Sequence, residues 1–550
     1  MGRTGWRAVV VAAVVVWAAG VACGKTIYVD DDANSPGDGR TWATAYRYLQ
    51  DALADANSSP KPVEVRVAQG VYRPDQGDGR TAGAVSASFV LRSGLKLMGG
   101  HAGIGAADPN ARDPRLYTTI LSGDLADNDV DVNDPWNALD EPTRVDNSLN
   151  VVVCDHADGT AVIDGFTVRS GHLNARGGHG GTAGGAGMVN YESNPTIRDC
   201  IFRGNVVAGT GGGIFNLSSS PSIINCVFEE NLGGYGAAVG ASNGSPALTD
   251  CTFIDNRARI NGGAVHMAGG NPTILRGRFA RNSATESGGA VLLGGGLSEL
   301  RNCLFMENAA DWGGAVSLSH DAGILFENCT FSSNTASHGN SLATNSYGGL
   351  SPSSVEIENC ILWGDDEGGP GGSGRAKTVD GASYFKEVWN EDRSRIAIRY
   401  SNLRGGCDAI HDGYGDVIWG DGNTDADPLF ADPTQGDVHL KSQAGRWLRD
   451  DGRWTTDDVT SPCIDAGDPM SPIGWEPFPN GGRVNMGAYG GTVEASKSYF
   501  GGPVCDVIVA GDINGDCRVD FADFAILARQ WLGEGEWVPV CQDEPAPPIE

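Results

Sequence analysis

Short apolar runs separated by Gly, Asn, Ser and Pro return along the middle of the chain at a fixed interval. "CTFIDNRARINGGAV" (Cys251 to Val265) comes back as "CLFMENAADWGGAV" from Cys303. Cys200, Cys226, Cys251, Cys303 and Cys329 keep the register, and Gly277 stands where the series lacks a cysteine; the spacings are 26, 25, 26, 26 and 26 residues. Two positions after each anchor is Phe202, Phe228, Phe253, Phe279, Phe305 or Phe331, and five after it is Asn205, Asn231, Asn256, Asn282, Asn308 or Asn334. A glycine-led turn follows at Gly212, Gly236, Gly262, Gly288 and Gly313. A period of this length marks a repeat architecture built from one stacked supersecondary unit.

The units carry no helical periodicity. "PSIINCVF" and "PTILRGRF" are short β-rich runs bounded by turn formers. Short strands and tight turns in a coil of about 25 residues predict an all-β, right-handed parallel β-helix solenoid whose coils stack at ~4.8 Å. Equivalent residues then lie above one another. Phe is expected to stack in the core, the cysteines to form an inner row of small apolar residues, and each Asn to bond its own bend and the Asn of the next coil. Upstream, Trp42, Tyr46, Leu49 and Leu53 recur at helical spacing and predict a capping helix over the first coil. "VEVRV" alternates as a strand, and Asn150 to Gly171 enters the regular coils. The expected organisation is a leader at 1–24, a cap and first coils at 25–149, regular coils at 150–362, an insertion at 363–400 that opens with "GDDEGGPGGSG", closing coils at 401–500 and a small module at 504–542.

Composition changes the picture in three ways. Glycine makes up 81 of 550 residues, about twice the usual ~7%, as a chain that bends several times per unit requires. The 39 basic and 69 acidic residues give a net charge of -30, which excludes nucleic acid as a partner and disfavours acidic sugars without a bridging cation. Arg3 and Arg7 precede the apolar run Ala8 to Ala19, a secretory signal pattern. No other long apolar stretch exists, so the expectation is an exported mature chain, extracellular or at the cell surface, without a transmembrane span. Gly20 stands three before Cys23, where a lipoprotein signal prefers an aliphatic residue. Stacked cysteines point the same way, whereas a disulfide needs a dihedral near 90°; the inner row is expected to stay as buried thiols. Cys505, Cys517 and Cys541 lie apart, and the favoured pairing there is Cys505 with Cys541.

The 504–542 module holds the clearest chemistry. "DINGDCRVDFAD" places oxygen donors at Asp512, Asn514, Asp516, Asp520 and Asp523, with the Arg518 carbonyl between them. These are positions 1, 3, 5, 9, 12 and 7 of an EF-hand-type calcium loop, although Cys517 stands where Gly is usual. Phe521, Phe524, Ala528 and Trp531 then share one helical face. The segment resembles one repeat of a type I dockerin, which pairs two repeats to bind a cohesin. The resemblance implies calcium as cofactor and a cohesin-like or other docking partner; no second loop follows Leu532.

The repeated "GGA[VI]" and "FxxN" resemble bacterial polymorphic outer-membrane proteins. "IYVDDDANSPGDGRTWATAYRYLQDAL", "DADPLFADPTQGDVHLKS", "SPCIDAGDP" and "RVNMGAYGG" resemble the opening and closing coils of secreted β-helix proteins of the pectin-lyase-like superfamily. That resemblance covers roughly Thr26 to Gly491 and implies the fold. "GGHGG" around His179 resembles the Gly-His-Gly of polygalacturonases, yet "NTD" (Asn423 to Asp425) follows it instead of preceding it, and no Asp-Asp pair occupies the required interval. Arg198, Arg203, Arg257, Arg276 and Arg278 are the basic residues that a lyase site could draw on. Two functions stay open: a non-catalytic solenoid recognising a polysaccharide or cell-surface glycan, which the structural and calcium motifs favour, and a polysaccharide lyase or glycoside hydrolase with residues assembled from adjacent coils. Catalytic residues are not identified by sequence.

Overall fold

The computed structural model describes residues 24–501, apart from 35–36, 133, 175–182, 345–350, 365–377, 380–381, 384–385, 392, 414 and 450, and in addition residues 519, 521 and 524. Short strands stack in parallel into four long sheets. Sheet 1 has thirteen strands, from Lys25–Val29 to Asp416–Trp419; sheet 2 has eleven, from Gly70–Tyr72 to Asn402–Leu403; sheet 3 has eleven, from Phe89–Leu91 to Ile410–Asp412; sheet 4 has seven, from His172–Leu173 to Thr335–His338. One coil shows the path: Met188–Tyr191 in sheet 3, Thr196–Arg198 in sheet 1, Ile201–Arg203 in sheet 2 and Val206–Val207 in sheet 4. Register pairs equivalent residues of successive coils, such as Ile197 with Ile223 and Ile223 with Leu248. Among the described residues no helix is long and apolar enough to cross a membrane.

The repeat residues build the interior. Phe202, Phe228, Phe253, Phe279, Phe305 and Phe331 are fully buried and stack near-parallel, with centroids 4.5–5.1 Å apart. The anchor cysteines are buried free thiols whose Sγ atoms donate to carbonyls, as in Cys251 to Ile223 at 3.5 Å. At the gap, a Cβ on Gly277 would sit 2.8 Å from Ile274 and 2.9 Å from Phe279, so the missing cysteine is a packing requirement.

The Asn row bonds the Asn of the next coil, as expected, but not its own bend. Asn231 donates from Nδ2 to the Phe202 carbonyl of the preceding coil (2.9 Å) and to Oδ1 of Asn256 in the next (3.0 Å). Its Oδ1 accepts from the backbone N–H and Nδ2 of Asn205, both at 3.1 Å. The amide therefore clasps neighbouring coils instead of its own bend. All of its groups are satisfied, and the same pattern returns at Asn256, Asn282 and Asn308. Burial of the row costs little because no polar atom is left unpaired.

Three other expectations are corrected. The capping helix spans Leu49–Ser58 and buries Leu49, Ala52, Leu53 and Ala56; Trp42 belongs to a separate 3-10 turn closed by a Thr41/Thr44 capping box. Tyr46 is excluded from the helix because its N–H and C=O bond to Tyr28 and Asp30, the ladder of the first strand. Within 363–400, Val388–Asn390 joins sheet 3 and Arg395–Arg399 joins sheet 1, so coils resume before Tyr400. The stretches expected as closing coils after Asp425 do not continue the stack. Phe430–Asp432 and Asp437–Leu440 pair antiparallel, and Phe430, Val438, Leu440, Met486 and Ala488 pack on Leu304, Met306 and Ile361 of sheet 2. Asn302 and Asn328 fasten this flap by donating to the carbonyls of Ala488, Gly490 and Asn485. The outer face of sheet 2 is apolar at those coils, and the flap removes it from water.

Candidate functional site

Sheets 3 and 4 meet at a sharp corner set by the second half of the repeat. Gly236, Gly262, Gly288, Gly313 and Gly339 adopt positive φ. At Gly313 a Cβ would fall 2.1 Å from the Val316 carbonyl oxygen, so no larger residue permits the bend. The residue before each glycine therefore stands beside the outer face of sheet 3. Down the corner this wall row reads Tyr235, Asn261, Ser287, Trp312 and His338. The neighbouring outer row of sheet 3 runs through His266, Leu292, Ser317, Ala343, Trp389 and His411.

Aromatic rings gather in the last coils. Trp312 stacks on His338 (centroids 3.9 Å, 11°), His338 meets Trp389 edge-on (4.7 Å, 89°), and Trp389 stacks on His411 (3.7 Å, 24°). All four are half-buried. Ser317 and Ala343, small and buried, fill the sheet 3 row in the two coils where the wall carries Trp312 and His338. Earlier in the corner Tyr235 and His266 lie 5.3 Å apart.

One carboxylate edges this block. Trp389 Nε1 donates to Glu391 Oε2 at 2.7 Å, and His411 Nε2 is 3.8 Å from the same oxygen. Asp412 follows His411 in the strand but continues the inner row of Thr344 and Asn390, on the other face of the sheet, and its Oδ1 accepts from Gly415 N–H at 2.8 Å. The wall backbone ties Glu286 and Asp311 in as well: Trp312 N–H donates to the Glu286 carbonyl, and His338 Nδ1 is 3.3 Å from the Asp311 carbonyl. Burial lowers the pKa of His266 to about 4 and lowers that of His411 despite the carboxylates beside it. His266 is therefore a neutral imidazole at neutral pH, and its buried Nδ1 has no partner in the structure. Half-buried flat rings with a few acceptors and neutral donors suit a ligand that is apolar on its flat sides and hydroxylated at its edges.

Other polar groups have structural tasks. Asp30, Asp31 and Asp32 bring carboxylate oxygens within 4.8 Å of one another, and burial raises the pKa of the first two. Asp30 accepts from the backbone N–H of Ile104 (2.6 Å) and Asp32 (3.0 Å), and Asp31 from Val71 (2.9 Å); the cluster pins loops onto the first coil. Arg198 pairs with Asp164, Arg203 with Glu229 and Glu230, and Arg276 with Asp250. These arginines bridge successive coils and do not converge on one face. Glu358, raised first by burial and then by contact with the Asp468 carboxyl, lies where the C-terminal flap meets sheet 1. Asn423 of "NTD" caps the last coil, accepting from Ser401 N–H at 3.0 Å and donating to the Ile398 carbonyl at 2.8 Å.

The expected calcium ligands Asp512, Asn514, Asp516, Arg518, Asp520 and Asp523 lie outside the described residues, as do His179, Cys505, Cys517, Cys541 and the leader. Sequence reasoning missed Trp312, His338, Trp389, His411 and Glu391. Their signal was available in the repeat register: the residue before each turn glycine and the outward residue of each following strand form the two rows of the corner.

A family model described as "Right handed beta helix region" matches residues 153–274, and one described as "Disaggregatase related" matches residues 409–467. No curated protein matches. Among solved structures, pectate lyase Pel9A is similar over 85% of this chain and 97% of its own, at 12% identity and TM-score 0.41. The Yersinia enterocolitica family 28 exopolygalacturonase is similar over 73% of this chain and 78% of its own, at 11% identity and TM-score 0.34. Pectin methylesterase from Aspergillus niger aligns over 73% and 84%, at 15% identity and TM-score 0.19.

Proposed function

We propose that this right-handed β-helix is a secreted or cell-surface glycan-recognition protein that holds a polysaccharide in the corner between sheets 3 and 4 and does not cleave it. The observation that carries the reading is the half-buried block Trp312, His338, Trp389 and His411 with Glu391 at its edge. A sugar ring offers C–H groups to such an apolar wall and hydroxyls to the flanking carboxylate and imidazoles. Repetition at the coil spacing supports an extended polymer as ligand. The leader-like segment supports export, and the module at 504–542, through calcium and a docking partner, would attach the solenoid to a larger assembly.

The competing reading is a lyase or glycoside hydrolase. Glycoside hydrolysis uses two carboxyl groups ~5–9.5 Å apart on either side of the scissile bond. Glu358 of sheet 1 and Asp468 of the flap are in direct contact where the two meet, away from the ring block. A panel of polysaccharides scored for both binding and cleavage separates the two. Retention of a glycan without new reducing or unsaturated ends is expected. Turnover by the purified chain, lost on substitution in the corner, would establish the enzyme instead.

A further inference from the structure

The solenoid hides its large rings, and the end of the chain does not. Among the described residues, every Phe, Tyr or Trp that is more than half exposed lies in the last part of the sequence: Trp475 (79%), Phe478 (52%), Phe500 (67%), Phe521 (88%) and Phe524 (59%). The first three belong to the flap, where the backbone holds them on one ridge. Trp475 N–H donates to the Gly491 carbonyl and Ser498 N–H to the Pro479 carbonyl, both at 2.9 Å. Glu476 Oε1 accepts from the N–H groups of Asn485 and Gly491, both at 2.8 Å. Glu476, Pro479 and Ser498 are buried, and burying them turns their neighbours outward. Met470, Val493 and Tyr499 add to the exposed apolar surface of the same stretch. Rings this exposed present on the order of a few hundred Å² of apolar area, the scale at which a patch marks an interaction site.

The other two rings stand a short way down the same chain. Phe521 and Phe524 are helical and three residues apart, so they share a face, and their ring centroids are 6.5 Å apart. The chain leaves the ridge at Phe500 and runs through Gly501, Gly502 and Pro503 toward this pair. A flexible tether from Phe500 to Phe521 spans on the order of 25 Å. Such a tether holds the two apolar surfaces at a mutual concentration in the millimolar range, so a contact too weak to join separate molecules closes within one. We propose that the helical face of Phe521 and Phe524 docks on the flap ridge of Trp475, Phe478 and Phe500 in the same chain, and so gives the 504–542 module a fixed seat on the solenoid. Docking takes both apolar surfaces out of water together, without the translational entropy that a separate partner would lose. It does not depend on the glycan reading, because the ridge and the ring block are different surfaces.

Amide exchange on the full chain in millimolar calcium tests it from both sides. Trp475→Ser with Phe478→Ser should speed exchange over residues 521–532 at least about tenfold while leaving the sheet peptides unchanged. Phe521→Ser with Phe524→Ser should speed exchange over residues 491–500 in return, and this reciprocal arm does not require the altered module to stay folded. Both rates in the native chain should be the same across a roughly hundredfold dilution, since an intramolecular contact obeys no mass action. Exchange that neither pair of substitutions alters across the tether would overturn the proposal. Protection lost on dilution would assign the ridge to a second copy of the chain, and protection seen only on adding a polysaccharide would make it a sugar platform; either result would overturn it.

Discussion

Deleting one ring from the phenylalanine stack should be among the most destabilising single changes available to this chain. Phe253 is 0% exposed. It lies between Phe228, at 5.0 Å and 6°, and Phe279, at 4.5 Å and 2°. Removing a buried aromatic ring costs ~3–5 kcal/mol through lost transfer energy and the cavity left behind. Each ring pair adds ~0.5–1.5 kcal/mol beyond buried area. Phe253 has two such partners, so Phe253→Ala should fall near ~5 kcal/mol. Phe202 has one, Phe228 at 5.1 Å, and Phe202→Ala should cost ~1 kcal/mol less. Neighbouring coils cannot slide in to close the gap, because the Asn row and the sheet ladders hold their spacing. The assay is equilibrium urea unfolding, with Leu297→Ala as the control. Leu297 is 72% exposed, and its truncation should change stability by less than ~0.5 kcal/mol. Equal midpoints for Phe253→Ala and Leu297→Ala would refute the reasoning. So would a large loss confined to the Phe202 variant, since the stack predicts the opposite order.

The anchor thiols Cys200, Cys226, Cys251, Cys303 and Cys329 should resist a thiol reagent in the native chain and react once denatured without reductant; bridges between successive anchors in peptide mass spectra would contradict the geometry. Calcium added to the full chain should give a binding isotherm that Asp512→Ala with Asp523→Ala abolishes, with magnesium a poor substitute because it demands a tighter octahedron; no heat at millimolar calcium would reject the loop. The C-terminal flap should respond to pH on both sides of neutrality. Buried His439 sits 2.6 Å from Asp437 and 3.6 Å from Glu494. Burial alone would lower its pKa, but the two carboxylates outweigh it and the net shift is upward. A raised histidine contributes stability that is full below its unfolded pKa of ~6.5 and is lost as pH rises through the folded value. Asp437, lowered by His439 and Arg446 against its burial, and Glu494, lowered chiefly by His439, contribute stability that is lost as pH falls through their folded values. Amide exchange over residues 430–499 should therefore be slowest between those limits and flatten on the alkaline side in His439→Gln; an unchanged alkaline limb would show that the histidine does not fasten the flap.

The inner half of the solenoid was legible because its constraint is periodic. Phe and Asn must repeat in register when each stacks on its own kind, and six copies expose the pattern. The corner was harder to read for the opposite reason. Trp312, His338, Trp389 and His411 occupy positions that elsewhere hold Ser287, Asn261, Leu292 or Ala343, and binding needs variation where folding needs repetition. Trp389 also lies within the 363–400 stretch, and His411 after it, where the count of 25 or 26 residues was broken. The flap after Asp425 was misassigned because its turns and short apolar runs look like coil; only the apolar outer face of Leu304, Met306 and Ile361, formed by two separate coils, determines where it lies. Trp42 and Tyr46 share the helical period of Leu49 and Leu53, but pairing with the first strand took precedence over that periodicity.

Glycan recognition in the corner between sheets 3 and 4 is the central claim. Its most direct measurement is affinity electrophoresis of the full chain through gels containing each polysaccharide of a broad panel, beside Trp312→Ala with Trp389→Ala. Both rings are half-buried on the outer surface, so the double variant should keep its fold, verified by an unchanged urea midpoint for the core. The account predicts that at least one polysaccharide retards the native chain and that the variant runs unretarded through the same gel. A native chain that no polysaccharide slows, or a variant slowed as much as the native chain, would contradict it.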